Sequence, residues 1–231
     1  MTRVDLSRRS TETELLDTGV PDADALESLS DLRVVNRWLG ARDALLTAAQ
    51  PFLRGPRPRL LDLGCGSGDI PAFVRGRLPH VLAVGIDVKR LHLAQVSPGL
   101  LAVRGDARRL PVRARAVDVV TLTHFLHHFD DDDAVPLLRD AARASRGAVV
   151  VNDLRRSAAS HLLARLLLPA LLRSPVSVAD GLVSIRRGFT AAELAELFAR
   201  AGLAAPTVRP RFPYRLVASA RVPAGADVPS G

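Results

Sequence analysis

Apolar positions along the chain follow two kinds of pattern. Between residues 24 and 52 they recur every three or four positions, which is typical of amphipathic helices, and Gly40 is expected to divide this region into two. From Arg59 onward, short apolar runs alternate with helical segments. The runs are RLLDL (59–63), VLAVGID (81–87), LLAVRGD (100–106), AVDVVTLT (116–123) and GAVVVND (147–153). This alternation predicts an α/β fold: a Rossmann-like, doubly wound, mostly parallel sheet with helices on both faces.

The pattern changes after Asp153. Residues 154–172 are strongly apolar and predict a helix, whereas 174–188 favour no single structure. Residues 190–202 predict a helix whose first turn carries the capping-box pair Thr190 and Glu193, and 213–222 predict a late strand. We therefore expect a helical cap or lid over 1–54, with a loose start over its first twenty residues. A main domain over 55–222 follows, with an insertion at 154–188 facing the substrate, and then a disordered tail over 223–231.

The positive charge of the chain does not by itself indicate a nucleic-acid-binding protein. The 231 residues carry a formal net charge of +8, but Lys89 is the only lysine and the arginines are scattered. This predicts a solvated arginine surface and no nucleic-acid footprint. Cys65 is the only cysteine, so no internal disulfide forms and a cytoplasmic protein is expected. The first residues resemble no signal peptide, and the apolar stretch 161–172 falls short of the ~18 residues that a transmembrane segment needs.

Three glycines follow the first predicted strand in the sequence LLDLGCGSGDI. Gly64, Gly66 and Gly68 give the spacing G-x-G-x-G, which differs from the G-x-G-x-x-G of dinucleotide-binding turns. Such a turn lets backbone amides face a bound cofactor. Asp62, two residues before the first glycine, would oppose a phosphate and favour an ammonium or sulfonium group. The pattern therefore indicates a nucleoside cofactor without a pyrophosphate.

Two further acids end the next two predicted strands. Asp87 can accept hydrogen bonds from both hydroxyls of a ribose, and Asp106 can accept one from an exocyclic amine such as that of adenine. Each acid alone also fits a helix cap or a solvated loop. Because the carboxyl ends of parallel strands meet at one edge of the sheet, the acids are expected to converge with the glycines there.

With these residues the chain resembles the class I S-adenosylmethionine-dependent methyltransferases over residues 59–153. The likeness rests on LLDLGCGSGD, VGIDV, GDARRLP and VDVVTLTHFLHHF, although Val117 stands where the family usually has an aromatic residue. It implies S-adenosyl-L-methionine as cofactor. The residues it assigns to cofactor binding are Asp62, Gly64, Cys65, Gly66, Gly68, Asp87, Val88, Asp106, Ala107, Thr123 and His124.

The likeness also distributes these residues over the parts of the cofactor. Asp62 and the three glycines would surround the methionine part, Asp87 would hold the ribose, and Asp106 with Ala107 the adenine. Thr123 and His124 would lie beside the sulfonium. A looser similarity, in GSGDIP and in residues 14–40, points to small-molecule methyltransferases encoded beside bacterial polyketide synthases that make alkylated phenols and quinones.

Methyl transfer to a hydroxyl requires that the oxygen be aligned and lose its proton. The sequence THFLHHFDDDD places three histidines just beyond the fourth strand, and His127 or His128 is the candidate base. The alternative is that these residues cap a helix or line the pocket wall. No metal is expected, because Asp130–Asp133 fit the start of a helix and magnesium prefers oxygen ligands to histidine.

The expected reaction is O-methylation of a small hydrophobic hydroxylated acceptor such as a phenol, quinol or polyketide, with C-methylation close behind. An RNA or protein methyltransferase and a non-catalytic nucleotide-binding protein are the alternatives, and glycine spacing disfavours an NAD-dependent dehydrogenase. The acceptor pocket should be built from the N-terminal helices, including Asn36, Arg37 and Trp38, and from the insertion at 154–188. Those same segments would otherwise form a core helix or the face of a homodimer.

Overall fold

The computed structural model describes residues 4–223, which alternate between strands and helices. The strands are β1 Arg59–Leu63, β2 Leu82–Asp87, β3 Leu101–Arg104, β4 Val117–Thr123, β5 Ser145–Leu154, β6 Thr207–Arg211 and β7 Arg215–Arg221. The helices are α1 Leu15–Thr18, α2 Asp22–Trp38, α3 Ala41–Ala49, α4 Asp69–Arg77, α5 Arg90–Leu93, α6 Asp131–Ala144, α7 Ala158–Leu171, α8 Pro175–Arg187 and α9 Ala191–Arg200.

One seven-stranded sheet organises the molecule in the order β3-β2-β1-β4-β5-β7-β6. The first five strands are parallel, and β7 inserts antiparallel between β5 and β6. The strand order reverses between β1 and β4, and a ligand crevice forms at such a point, beyond the carboxyl ends of the strands. The predicted Rossmann-like α/β class is confirmed.

Both faces of the sheet are covered, because successive strand residues point to opposite sides. Leu60, Val119 and Val150 pack with α3 and α4 on one face. Their neighbours Leu61 and Val120 face the other side, where α6 and α9 cover them. This two-sided burial explains why the central strands are almost continuously apolar.

A third apolar cluster lies outside the two faces of the sheet. Residues from α2, α7 and α8 pack there against the end of β5, including Val35, Leu154, Leu168 and Ile185. These helices cover the carboxyl edge of the sheet on the side of the crevice. No helix among residues 4–223 has the length and apolar character to cross a membrane.

The capping box predicted for α9 is present. The amide of Glu193 donates to Oγ1 of Thr190 at 3.3 Å, and the amide of Thr190 donates to Oε2 of Glu193 at 2.8 Å. Gly40 separates α2 from α3 with a left-handed φ of 74°, as the pattern predicts. The division into cap, main domain and insertion stays a prediction, and most of the predicted tail, residues 224–231, lies outside the described residues.

The expectation of a loose N-terminal start is wrong for the described residues from position 9 onward. The amide of Ser10 donates to the carbonyl of Arg186 in α8 at 3.0 Å. The amides of Leu15 and Leu16 donate to the carboxylate of Asp180 at 2.7 and 3.0 Å. We call residues 9–18 the N-terminal strap. It is held because its backbone donors find acceptors on α8.

Candidate cofactor and acceptor site

A cavity of about 360 Å³ opens at the carboxyl ends of β1, β2 and β4. Its inner wall is formed by the glycine turn after β1 and by the ends of β2 and β3. Its outer wall is apolar and comes from α2 and α7, with Leu32, Val35 and Leu168 among the lining residues. The predicted cofactor residues on the inner wall are Gly64, Gly66, Asp87, Val88, Asp106, Ala107 and His124.

The glycine turn has a backbone that side chains would obstruct. Gly64, Gly66 and Gly68 have φ values of 67°, 54° and 74°, in the left-handed region that favours glycine. Gly68 lies just before α4 and lines neither this cavity nor the smaller one beside it. A Cβ added to it would lie 2.5 Å from Cδ2 of Leu100, so this glycine shapes the turn without facing the crevice.

Asp87 fastens the turn to the end of β2. Its Oδ2 accepts from the amide of Gly66 at 2.8 Å and its Oδ1 from the amide of Lys89 at 2.8 Å. Burial alone would raise the pKa of Asp87, but His92 and these amides outweigh burial and lower the pKa. The carboxylate is therefore ionised, and it lines the cavity with unused lone pairs.

Asp106 begins the short 3-10 turn after β3. Its Oδ1 accepts from the amide of Arg108 at 2.9 Å, and hydrogen bonds from Arg108 lower its pKa. Ala107, next to it, is buried, while Val88 on the neighbouring loop is 55% exposed. Asp106, Ala107 and Val88 thus line the end of the cavity at which we expect the adenine from the family resemblance.

A second, smaller cavity lies under the glycine turn and is lined by Asp62, Cys65, Thr123 and His124, with Asn36 from α2. Oγ1 of Thr121 donates to Oδ1 of Asp62 at 2.7 Å. Burial, with added repulsion from Asp69 and Asp87, raises the pKa of Asp62 to about 7.

Two acceptors in this small cavity have no partner. Oγ1 of Thr123 and Oδ1 of Asn36 are buried and make no hydrogen bond within the described part of the chain. Burial raises the pKa of the Cys65 thiol, which therefore stays neutral. A neutral thiol, unpaired oxygens and an acid suit the ammonium of an amino acid better than an anion.

Beyond β4, two imidazoles and three carboxylates form a cluster, which we call the imidazole–carboxylate cluster; its members are Glu14, Asp17, His127, His128 and Asp153. Nδ1 of His127 lies 2.7 Å from Oδ1 of Asp153, and its Nε2 lies 3.1 Å from Oε1 of Glu14. Nδ1 of His128 lies 2.8 Å from Oδ2 of Asp17. All members except Asp153 line the large cavity.

The protonation of this cluster follows from its contacts. Burial alone would lower the pKa of His127, but Asp153 and Glu14 outweigh burial and raise it to about 10. Burial alone would raise the pKa of those two carboxylates, but His127 lowers both. At neutral pH His127 is therefore an imidazolium that donates from both nitrogens, with no lone pair for an acceptor's proton.

His128 differs from His127 at one nitrogen. Its Nε2 makes no hydrogen bond to any residue from 4 to 223, and the nearest carboxylate oxygen, Oε2 of Glu14, is 3.9 Å away. The ring is partly exposed toward the cavity, with 25% of the side chain accessible. His128 is thus the predicted base whose ring nitrogen can still reach a ligand.

His124 supports the wall between the two cavities. Its Nε2 accepts from Nη1 of Arg215 at 2.6 Å, and Nε of that arginine donates to the carbonyl of Leu39 at 2.9 Å. Burial and the positive charge of Arg215 lower the pKa of His124, so the ring is neutral. Its backbone has a left-handed φ of 51°, which turns the chain sharply at the end of β4.

Two sequence predictions about the acceptor side are wrong. Trp38 is 68% exposed, and neither Trp38 nor Arg37 lines either cavity. Sequence reasoning also missed Glu14 and Asp17, which are more than 100 positions away from the histidines they contact. The residues around Glu14 in the sequence do not predict that it contacts a histidine, because the strap has no periodicity and its placement depends on α8.

Part of the chain matches the sequence model of a known protein family. A family model described as a methyltransferase domain matches residues 60–147, which contain the glycine turn, both strand-end acids and the three histidines of the loop after β4. Residues 60–147 are a methyltransferase domain. The match covers about two fifths of the chain, and the fold around this domain is similar to that of solved methyltransferases.

Two relatives of the methyltransferase domain are named as methyltransferases of small molecules. A probable scoulerine-9-O-methyltransferase from Papaver somniferum is 30% identical over 117 residues, covering 49% of this chain and 32% of that protein. A demethylmenaquinone methyltransferase from Deinococcus radiodurans is 33% identical over 125 residues, covering 51% of this chain and 49% of that protein. The matched part of the chain thus spans half or less of either relative.

The fold has solved counterparts. The crystal structure of human N-acetylserotonin methyltransferase in complex with SAM superposes with a TM-score of 0.68 at 16% identity, covering 93% of this chain and 62% of that one. At this identity the likeness concerns the fold of the methyltransferase domain and its helical cover.

Proposed function

We propose that the chain transfers the methyl group of S-adenosylmethionine to a hydroxyl oxygen of a small apolar acceptor, such as a phenol, a quinol or a polyketide. The observation that carries this proposal is that one cavity joins the glycine turn to the imidazole–carboxylate cluster. A cofactor on the inner wall and an acceptor against the outer wall would share that space. In-line transfer requires such a shared, water-poor space.

The inner wall offers a distinct partner for each part of the cofactor. Asp87 would accept from the ribose hydroxyls, and Asp106 beside the buried Ala107 would accept from the adenine amine. Asp62, with the unpaired oxygen of Thr123, would receive the methionine ammonium. When bound, the cofactor supplies an electrophilic methyl group, and the chain's own residues orient it.

The outer wall determines the class of acceptor. Leu29, Leu32 and Val35 of α2 line the cavity together with Leu168 and Leu172, and the ring of Phe125 lies against Gly64 of the glycine turn. An apolar, flat or alkyl-substituted molecule gains the most from burial there. The names of the poppy and Deinococcus relatives, an alkaloid and a quinone methyltransferase, agree with this class.

The acceptor's proton would leave to the imidazole–carboxylate cluster. Nε2 of His128 is the group that can take it, because Nδ1 is held at 2.8 Å by Asp17, which fixes the orientation of the ring. His127 does not take the proton but holds Glu14 in place. In this proposal His128 is the base, Asp17 orients its ring, and the charged His127 holds Glu14.

The test is methyl transfer from labelled S-adenosylmethionine to a panel of phenols, quinols and hydroxylated polyketides. We expect turnover with at least one acceptor, a loss of about 100-fold or more in His128→Ala, and cofactor affinity unchanged in that variant. The exposed His80→Ala is the matched control and should keep full activity. Full activity of His128→Ala would contradict the assignment of the base, and no labelled product from any acceptor would contradict the reaction.

A further inference from the structure

We propose that Glu14, His127 and His128 form a binding site for a divalent transition-metal cation such as Zn²⁺, in the wall of the large cavity. The site joins the N-terminal strap to the loop after β4. It refines the proposed function, because in the loaded chain Nε2 of His128 is a ligand and the cation, instead of that nitrogen, meets the acceptor's oxygen; only that consequence rests on the proposed function. Cation binding itself requires neither cofactor nor acceptor.

The ligand atoms are already gathered. One ligand atom from each residue lies within 4.8 Å of the other two. Nε2 of His127 is 3.1 Å from Oε1 of Glu14, and Nε2 of His128 is 3.9 Å from Oε2. A tetrahedral cation bound at about 2.0–2.1 Å from each ligand keeps its ligands roughly 3.3–3.5 Å apart. Small side-chain shifts therefore suffice to close the site.

Each histidine is oriented for ligation by a second carboxylate. Asp153 holds Nδ1 of His127 at 2.7 Å, and Asp17 holds Nδ1 of His128 at 2.8 Å. Metal-ligating histidines almost always donate their other ring nitrogen to such a partner, which fixes the tautomer and leaves Nε2 as the ligand. Here both Nε2 atoms lie on the side of Glu14. The hydrogen bonds at Nδ1 therefore orient both rings with Nε2 toward the proposed cation.

The charge of the cluster favours a cation. Three carboxylates surround two imidazoles, so the cluster carries a net charge of −2 when only one imidazole is protonated. The nearby side chains of Lys89, Arg9 and Arg187 engage Asp17 or backbone carbonyls of the loop. None of them occupies a ligand atom of the three residues. A divalent cation would displace the proton on Nε2 of His127 to solvent and, against the three carboxylates, leave the cluster with a net charge of −1.

The donor set selects the kind of cation. Two imidazole nitrogens and one carboxylate suit Zn²⁺ and similar transition metals, whereas Mg²⁺ prefers oxygen ligands. Three protein ligands leave one position open, and this cluster faces the cavity. In the loaded protein the cation would contact the acceptor's oxygen and lower the pKa of its hydroxyl, whose proton would leave to solvent because Nε2 of His128 is then a ligand.

The experiment measures Zn²⁺ binding to the full chain by calorimetry, without cofactor or acceptor, and Co²⁺ binding by visible absorption. We expect one site of micromolar or tighter affinity, strong four-coordinate Co²⁺ bands and no comparable Mg²⁺ binding. Glu14→Gln and His128→Asn should each weaken Zn²⁺ binding by about tenfold or more, and Asp17→Asn by about tenfold. Glu12→Gln on the same strap and the exposed His80→Ala are matched controls and should bind as the parent does.

Equal Zn²⁺ affinity in Glu14→Gln and Glu12→Gln, or no site of micromolar affinity in the parent chain, would overturn the inference and leave a network of ion pairs only. Thermal unfolding of each variant checks its fold. If Glu14→Gln unfolds, anomalous scattering from Zn²⁺-soaked crystals of the parent chain decides, because the peak must lie between Glu14 and the two histidines. A peak elsewhere contradicts the site. Neither result depends on methyl transfer, so the two proposals fail separately.

Discussion

At the scale of single residues, one carboxylate both fastens the glycine turn and lines the large cavity. Asp87 ends β2, accepts two backbone amides and still lines the cavity. This double use explains why its position was predictable: an acid at the end of a buried parallel strand lies at the ligand edge of the sheet. Glu14 is also buried, but its partners come from distant segments, and no sequence rule connects them.

Asp87→Ala should weaken S-adenosylmethionine binding by about 1.5 to 3 kcal/mol, the scale of hydrogen bonds to a charged group. Calorimetry measures the affinity directly. Asp140→Ala, on α6 and away from both cavities, is the control and should bind as the parent does. Unchanged affinity in Asp87→Ala would remove Asp87 from the cofactor site.

Asp62 should couple cofactor binding to pH. Its folded-state pKa is raised to about 7, so the side chain is largely protonated at pH 6 and ionised at pH 8. A cationic methionine group stabilises the ionised form. We therefore expect affinity to rise between pH 6 and 8 and binding near pH 6.5 to release a proton, measured by calorimetry in buffers of different ionisation enthalpy. Asp62→Asn should abolish this proton release, and proton uptake by the parent chain would contradict the assignment.

At the scale of elements, a helix or strand can be predicted from the sequence when its own residues determine it. Strands β1, β2, β4 and β5 were predicted because burial on both faces makes them continuously apolar. Helix α9 was predicted from its own capping residues. Strand β6 was missed: as the outer strand it is polar and contains Pro210, which an edge strand tolerates and a central strand does not.

Helix α8 and the N-terminal strap were not predictable for a related reason. The half-polar helix α8 packs against α7 and α2, and the strap in turn hydrogen-bonds to α8. Predicting either requires the other elements to be in place. The positions of the glycine turn, the strand-end acids and the two histidines therefore could be predicted from the sequence, whereas those of Glu14 and Asp17 could not.

The strap should be released when its acceptor on α8 is removed. Asp180 accepts the amides of Leu15 and Leu16, and Asp180→Ala leaves both without that partner. We expect trypsin to cleave after Arg8 or Arg9 several times faster in Asp180→Ala than in the parent chain. Asp140→Ala is again the control, and equal cleavage rates would show that other contacts hold the strap.

At the scale of the whole molecule, the formal charge of +8 comes almost entirely from arginines. Many arginines are used within the fold. Those paired with acids include Arg42 with Asp69, Arg146 with Asp118, Arg156 with Glu193 and Arg186 with Glu12. Guanidinium groups engaged in this way are less available for phosphates.

We therefore expect no RNA affinity of micromolar strength at physiological ionic strength. Fluorescence anisotropy with a labelled single-stranded RNA, repeated at several salt concentrations, measures this. A salt-dependent affinity of micromolar or better would favour the RNA methyltransferase alternative over a small-molecule acceptor.

The central claim is that the crevice at the reversal of strand order holds the cofactor against the glycine turn, with its reactive end toward His128. A crystal structure with S-adenosylhomocysteine tests this most directly. The account predicts ribose density at Asp87, adenine density between Val88 and Asp106, and the sulfur facing the imidazole–carboxylate cluster. A ligand bound away from the glycine turn, or a crevice without ligand density at saturating concentration, would contradict it.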